Sequence, residues 1–182
     1  MIRSADVRAN SYDPEKRTFS AVFATSHPVL RRDAKGPFSE VLDASTLDLA
    51  ASQRVPVLDS HSTATVRALV GRVQSMRVEG DSVVGVIALS SAEDVGPIGQ
   101  RIADGILDSL SIGYGVPVWT EEMSPTGRIK RPARWAIREV TLTSNPADPN
   151  AKIRSSDMAK DTFDRDAAVE TIRAALDLPD DW

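Results

Sequence analysis

The sequence contains no cysteine and only two histidines among its 182 residues. The lack of cysteine excludes disulfides, thiol nucleophiles and thiolate zinc sites. Aromatic residues make up 5% of the chain, and no apolar run approaches the roughly 18 residues that a membrane-spanning helix needs. The first residues also lack the apolar stretch of a secretory signal. We therefore expect a soluble domain made in the cytoplasm, with no membrane partner.

Positive charge is not in excess either. The chain carries 22 lysines and arginines against 26 acidic residues, a formal net charge of −4, so the basic surplus typical of nucleic-acid binders is missing. The charge is uneven along the chain. From Ser155 onward eight acidic residues face three basic ones, which gives −5 for the tail and leaves +1 for the rest. We expect one domain over 1–154 and an acidic tail over 155–182, with a possible helix over 164–176.

The first half of the chain has the period-two alternation of β-strands. Residues 17–24 predict a strand, with 5–11 as its hairpin partner. The short apolar run 55–58 predicts a buried strand, and residues 73–90 predict a hairpin that turns at Glu79-Gly80-Asp81. The polar, basic stretch 27–36 is interpreted as a loop.

The second half mixes one helix with further strands. Acidic residues after Ser91 and a stop at Gly105 predict a helix between them. Its apolar face would consist of Val95, Ile98, Ile102 and Ile106. Strands are predicted over 107–118 and 135–143, with an exposed loop over 120–132. The pattern as a whole indicates a β-rich α+β fold.

Common cofactor motifs are missing. The sequence has no HExxH pair for zinc, no GxxxxGK[ST] loop and no GxGxxG turn, so we expect neither a metal nor a nucleotide cofactor. It also lacks the GxSxG elbow of α/β-hydrolases.

Two histidines limit the search for a general base. His27 precedes a proline in a basic stretch and fits a surface position. His61 follows the apolar run 55–58, where a strand would fix its backbone while the imidazole stays in water. By itself it fits an ordinary strand-end histidine equally well.

A serine and a carboxylate could complete a catalytic group. Ser109, Ser111 and Gly113 share one face of a predicted strand, so either serine could be a nucleophile or simply a solvent-facing residue. Glu139 is predicted to lie on the same face as Trp135 and Ile137. It could orient a histidine, or form an ion pair with Arg138 or Arg134.

The order and spacing of these segments resemble one family, the prohead (capsid maturation) proteases of tailed bacteriophages, over about residues 15–154. The resemblance rests on Leu58-Asp59-Ser60-His61, Val70-Gly71-Arg72-Val73, Asp104-Gly105-Ile106-Leu107, Leu110-Ser111-Ile112-Gly113-Tyr114, Glu139-Val140-Thr141-Leu142-Thr143 and Asn145-Pro146-Ala147-Asp148-Pro149-Asn150-Ala151. The chain departs from the family at Thr141, where a serine is usual, and in a longer Ser/Thr-rich segment after His61.

The resemblance implies a serine endopeptidase with a compact β-barrel flanked by a few helices, similar to herpesvirus assemblin. It implies His61 as general base, Ser111 as nucleophile and Glu139 as the third member of the triad. The implied partners are the major capsid protein with its scaffolding segment and a second copy of the chain in a homodimer, inside the procapsid in the host bacterial cytoplasm. The alternative is a catalytically silent scaffold or capsid-assembly protein that retains the protease fold.

Overall fold

The structure is a computed structural model, and it describes residues 11–154. Within these residues the chain forms eight strands, one α-helix and three single-turn 3₁₀ helices at Ala44–Thr46, Val66–Ala68 and Glu93–Val95. The longer elements, in chain order, are β1 (Thr18–Thr25), β2 (Val29–Asp33), β3 (Gly36–Glu40), β4 (Pro56–Asp59), β5 (Leu69–Glu79), β6 (Ser82–Leu89), α1 (Gly96–Ala103), β7 (Leu110–Ser124) and β8 (Gly127–Leu142).

The strands form one mixed sheet in the order β1-β6-β5-β4-β8-β3-β2, and β7 pairs with the other edge of β8. Strand β8 is long enough to pair with two strands on one edge. Its first part runs parallel to β3 and its last residues run parallel to β4. On its other edge, β8 pairs with β7 in an antiparallel ladder. The predicted β-rich α+β class is confirmed.

A short segment, Ala151 to Arg154, lies between β1 and the start of β7. Lys152 bridges Ser109, and Ile153 bridges Ala21. Backbone hydrogen bonds of 2.8–3.1 Å join the segment to both strands. The chain after β8 is thereby held against the two strands that flank it.

The core lies on the inner side of β1, β4, β6, β7 and β8. The alternation predicted for β1 is confirmed, because Phe19, Ala21 and Phe23 are all at most 1% exposed. The strand at 55–58 and the 73–90 hairpin are also confirmed, with Gly80 in the left-handed conformation at the turn. No helix of the described residues is long and apolar enough to cross a membrane.

The predictions of loops over 27–36 and 120–132 are wrong. The stretch 27–36 contains β2 and the start of β3, and most of 120–132 belongs to β7 and β8. Both regions are strands with charged side chains, so they lack the apolar alternation from which strands are recognised. Ion pairs between neighbouring strands replace it, such as Arg128 with Glu121 at 2.9 Å.

The helix is shorter than predicted. A 3₁₀ turn precedes α1, which ends at Ala103, and Gly105 follows in the left-handed conformation. Val95 and Ile102 are buried as predicted, but Ile106 is 75% exposed because it lies beyond this reversal of the chain. Residues 5–10 of the predicted strand over 5–11, and the tail helix over 164–176, lie outside the described residues.

Candidate active site

A β-bulge determines which way the Glu139 side chain points. Gly113 pairs with Glu139 and Tyr114 pairs with Ile137, so Arg138 is an extra residue in β8. An extra residue interrupts the alternation of side chains between the two faces. Ile137 and Val140 both lie in the core, at 1% and 0% exposure, while Glu139 projects from the opposite face. The prediction that Glu139 shares a face with Trp135 and Ile137 is therefore wrong.

Gly113 makes room for this carboxylate. A Cβ atom added at Gly113 would lie 2.6 Å from Cγ of Glu139 and 2.9 Å from its Oε1. Contacts this short do not occur between real side chains, so only glycine fits opposite Glu139 without moving it. The small residue on β7 thus fixes the path of the glutamate side chain across the face of the sheet.

His61 lies two residues beyond the end of β4, in a tight turn. Both Ser60 and His61 have left-handed backbone conformations, with φ of 50° and 57°. The His61 amide donates to Oγ1 of Thr141 at 2.8 Å. That hydroxyl in turn donates to the carbonyl of Leu58 at 3.0 Å. The turn brings the histidine back over the end of β8.

The structure brings His61 and Glu139 together. Nδ1 of His61 lies 2.6 Å from Oε1 of Glu139, and the side chains are 46% and 19% exposed. A carboxylate only accepts, so Nδ1 carries the hydrogen and Nε2 of the neutral ring keeps its lone pair. Within the described residues the imidazole is half exposed with a fixed orientation, and in its neutral form Nε2 can accept a proton, which is the arrangement a general base needs.

Ser111 lies on the same face, beside the histidine turn. It pairs with Thr141, and residues directly opposite in an antiparallel ladder have Cβ atoms about 4.5–5.5 Å apart. Ser111 is 7% exposed. Within the described residues, no hydrogen bond joins its hydroxyl to His61. Ser111 is thus a neighbour of His61 through Thr141, but not its hydrogen-bond partner.

Ser109 lies two residues before Ser111, immediately ahead of β7, and its hydroxyl has a different hydrogen-bond partner. Its hydroxyl donates to Oδ1 of Asp108 at 2.6 Å, and its carbonyl accepts from the Thr143 amide. Neither of the two ion pairs considered for Glu139, with Arg138 or with Arg134, forms in the part of the chain that the structure describes. Arg134 contacts Asp48, and the glutamate contacts His61.

A small cavity lies beside Ser111. The cavity is lined by the last residues of β1 and by His27, Ile112, Tyr114, Ala147 and Asp148. The Tyr114 hydroxyl donates to Oε1 of buried Glu40 at 2.5 Å. Burial, followed by this hydrogen bond to a carboxylate, raises the pKa of Tyr114 above its usual range.

The turn after β8 is fixed to the rest of the domain next to this cavity. Asp148 accepts from the backbone amide and the hydroxyl of Thr25, at 2.8 and 2.7 Å. Ala147 and Asp148 therefore lie at a defined position near Ser111. Across residues 11–154, no three histidine or carboxylate side chains are gathered in a way that could hold a metal ion.

Sequence reasoning missed two features of this site, the bulge at Arg138 and the bond from Thr141 to His61. Neither feature has a signal in the sequence, because both depend on the conformation of the folded backbone. Comparison with known proteins gives no support for a family, because no protein-family model and no curated protein matches the chain.

Proposed function

We propose that the protein is a serine endopeptidase in which Ser111 is the nucleophile, His61 the general base and Glu139 the residue that orients His61. The observation that carries this proposal is the 2.6 Å contact between Nδ1 of His61 and Oε1 of Glu139. A histidine with its Nδ1 on a buried or half-buried carboxylate presents Nε2 as the base, which is the logic of a catalytic triad.

In the proposed reaction, Ser111 Oγ attacks the carbonyl carbon of the scissile peptide bond and its proton passes to His61 Nε2. Glu139 stabilises the imidazolium that forms. The tetrahedral intermediate then breaks its C–N bond, and His61 gives the proton to the departing amine. Water, activated by the same histidine, hydrolyses the acyl-enzyme and regenerates Ser111.

The oxyanion of the intermediate needs backbone or side-chain donors, each worth roughly 3–4 kcal/mol. We propose that they come from the turn after Thr143. Support comes from the position of Ala147 and Asp148, which line one cavity together with Ser111. The hydrogen bonds from Thr25 to Asp148 would keep this turn in place during the reaction.

The proposal extends to the fold and to the biological role. The bridges of Lys152 and Ile153 support a sheet that closes into an assemblin-like barrel, since they connect β7 to β1. As in the prohead protease family, the proposed substrates are the scaffolding segment of a major capsid protein and the chain's own tail. The proposed location is the inside of an assembling procapsid, where a second copy could take part.

A silent scaffold that retains the protease fold is the second candidate. It is favoured by one observation, the 7% exposure of Ser111 together with the lack of a Ser111–His61 hydrogen bond in the described residues. Catalytic hydrogen bonds are often long before a substrate binds, so this geometry is compatible with both candidates.

Intact mass measured over time separates the two candidates. The parent chain, Ser111→Ala and Ser109→Ala are purified and incubated alone and with the cognate capsid protein. A protease that uses Ser111 shortens the parent and the Ser109 variant, while Ser111→Ala stays whole. Ser109 is a matched control, because it is also a serine and lies two residues before Ser111. Its hydroxyl donates to Asp108. Three intact chains, even with capsid protein present, would favour the scaffold.

A further inference from the structure

Thr141 has a hydroxyl at the point where the three segments of the candidate site meet. On one edge of β8 it pairs with Leu58 of β4, three residues before His61. On the other edge it pairs with Ser111 of β7. It is also two residues from Glu139 in its own strand, and its exposure is 0%. One buried side chain thus contacts or neighbours every member of the site.

The hydrogen bonds of this hydroxyl have a single consistent direction. A threonine hydroxyl has one hydrogen and two lone pairs. The hydrogen is used on the Leu58 carbonyl at 3.0 Å, because a carbonyl can only accept. A lone pair accepts the His61 amide at 2.8 Å, because an N–H can only donate. The hydroxyl therefore joins the last residues of β4 to the histidine that follows them.

This link matters because the intervening turn is an unfavourable one for the chain. Ser60 and His61 both have positive φ, a region that residues other than glycine seldom occupy, and here two of them are consecutive. Such conformations persist only where surrounding contacts fix them. Backbone bonds help, from the Ser60 amide to Leu142 and from the Ser62 amide to Asp59. At His61 itself, the contact is with the Thr141 side chain.

We propose that Thr141 is a positioning residue that holds His61 through its backbone amide, so that the imidazole reaches Glu139. The positioning follows from the geometry of the turn, and its effect on peptide hydrolysis rests on the proposed function. Valine at 141 keeps the shape of the side chain and removes both hydrogen bonds. Serine keeps the hydroxyl and removes only a methyl group.

The test compares Thr141→Val and Thr141→Ser in the full chain by ¹⁵N NMR of the histidine side chains. With two histidines in the chain, His27 serves as an internal reference. The parent and Thr141→Ser should show His61 as the Nδ1–H tautomer. Thr141→Val should show a mixture of the two tautomers, and its rate of self-cleavage should fall by about 10- to 100-fold, the cost of a misplaced reacting group. A Thr141→Val variant that keeps the Nδ1–H tautomer and the parental rate would overturn the proposal.

Two features keep the outcome clear. The tautomer is read without any enzymatic activity, so a chain that proves not to be a protease still tests the positioning. Hydrogen exchange in the unmutated chain covers the case in which Thr141→Val does not fold. The His61 amide should exchange at least 10-fold more slowly than the neighbouring exposed amides of Thr63 and Ala64. Equal exchange rates would show that the Thr141 bond does not hold His61.

Discussion

His61 and Glu139 are 78 residues apart in the chain, yet Nδ1 of the imidazole lies 2.6 Å from Oε1 of the carboxylate. Two local irregularities produce this contact. The left-handed turn at Ser60 and His61 directs the histidine back over β8, and the extra residue Arg138 turns Glu139 out of the core.

Replacing Glu139 by glutamine should lower the rate of the proposed self-cleavage about 10³- to 10⁴-fold, because an amide can also donate and so favours the wrong imidazole tautomer. Intact mass against time gives the rate. Arg138→Gln is the matched control, since it changes the neighbouring charge without touching the contact with His61. We expect Arg138→Gln to stay within about twofold of the parent, as for an exposed charge. Equal losses in both variants would indicate a general charge effect instead of an oriented histidine.

Gly113→Ala should slow the same reaction about 100-fold while leaving the fold intact. The new Cβ would lie 2.6 Å from Cγ of Glu139, so the carboxylate must move away from His61. Displacing a catalytic group by about 1 Å costs a factor of this size.

Gly115→Ala is the control for this experiment. Its Cβ would meet the guanidinium group of Arg138, with Nε nearest at 3.2 Å, and that flexible side chain can move aside. Circular dichroism should give closely similar unfolding temperatures for both variants. If Gly115→Ala were as slow as Gly113→Ala, the loss would come from distortion of β7 and not from Glu139.

Strands with one buried face were predictable from their apolar pattern. The alternation of Phe19, Ala21 and Phe23, and the apolar run that ends at Leu58, identify β1 and β4 directly. Strands whose exposed charges pair across the sheet were not predictable, since Arg128 and Glu121 do not differ in sequence from loop residues. Their strand character depends on neighbours far away in the chain.

The contact between His61 and Glu139 joins two residues named from the sequence, but its geometry was not predictable. His61 and Glu139 were singled out as candidates, and they do meet. The face on which Glu139 lies was wrong, because pattern reasoning assumes an unbroken period of two and a bulge shifts it. The role of Thr141 could not be derived from the sequence, because the bond to His61 depends on the backbone conformation of the turn.

A cluster of charges at the far end of the sheet makes stability depend on pH. Asp33 accepts both terminal nitrogens of Arg128 at 3.1 Å and also contacts Lys130. The hydrogen bond from Arg128, followed by that from Lys130, holds the pKa of Asp33 well below its ordinary value of 3.8. A depressed pKa in the folded state means that ionised Asp33 favours folding above the ordinary value and that this contribution is lost as the pH falls.

Asp33→Asn should therefore unfold at a lower temperature than the parent at pH 7. The difference between the two unfolding temperatures should decrease progressively as the pH is lowered below 3.8. Thermal unfolding of both chains, measured by circular dichroism between pH 7 and pH 2, gives this comparison. A difference in unfolding temperature that stays constant from pH 7 to pH 2 would mean that the charge of Asp33 does not contribute to stability.

Ending the chain after Asn150 should destabilise the domain, whereas ending it after Arg154 should leave the domain folded. The residues between these points form four backbone hydrogen bonds with the strands on either side: Val22 to Lys152, Arg154 to Ser20, Leu110 to Ala151 and Ile153 to Asp108. At about 1 kcal/mol net for each bond, their loss amounts to roughly 4 kcal/mol. That is a large part of the 5–15 kcal/mol by which a typical domain is stable.

Urea unfolding of the two shortened chains and the full chain measures this difference. The chain ending at Arg154 keeps the ion pair of that arginine with Glu79, at 3.1 Å, and should match the full chain. The chain ending at Asn150 should unfold at a lower urea concentration or not fold at all. If both shortened chains unfolded at the same concentration, the segment would not stabilise the junction of β1 and β7. If the chain ending at Arg154 failed to fold, the domain boundary would have to lie within the tail, because the acidic residues beyond Ser155 would then be part of the folded unit.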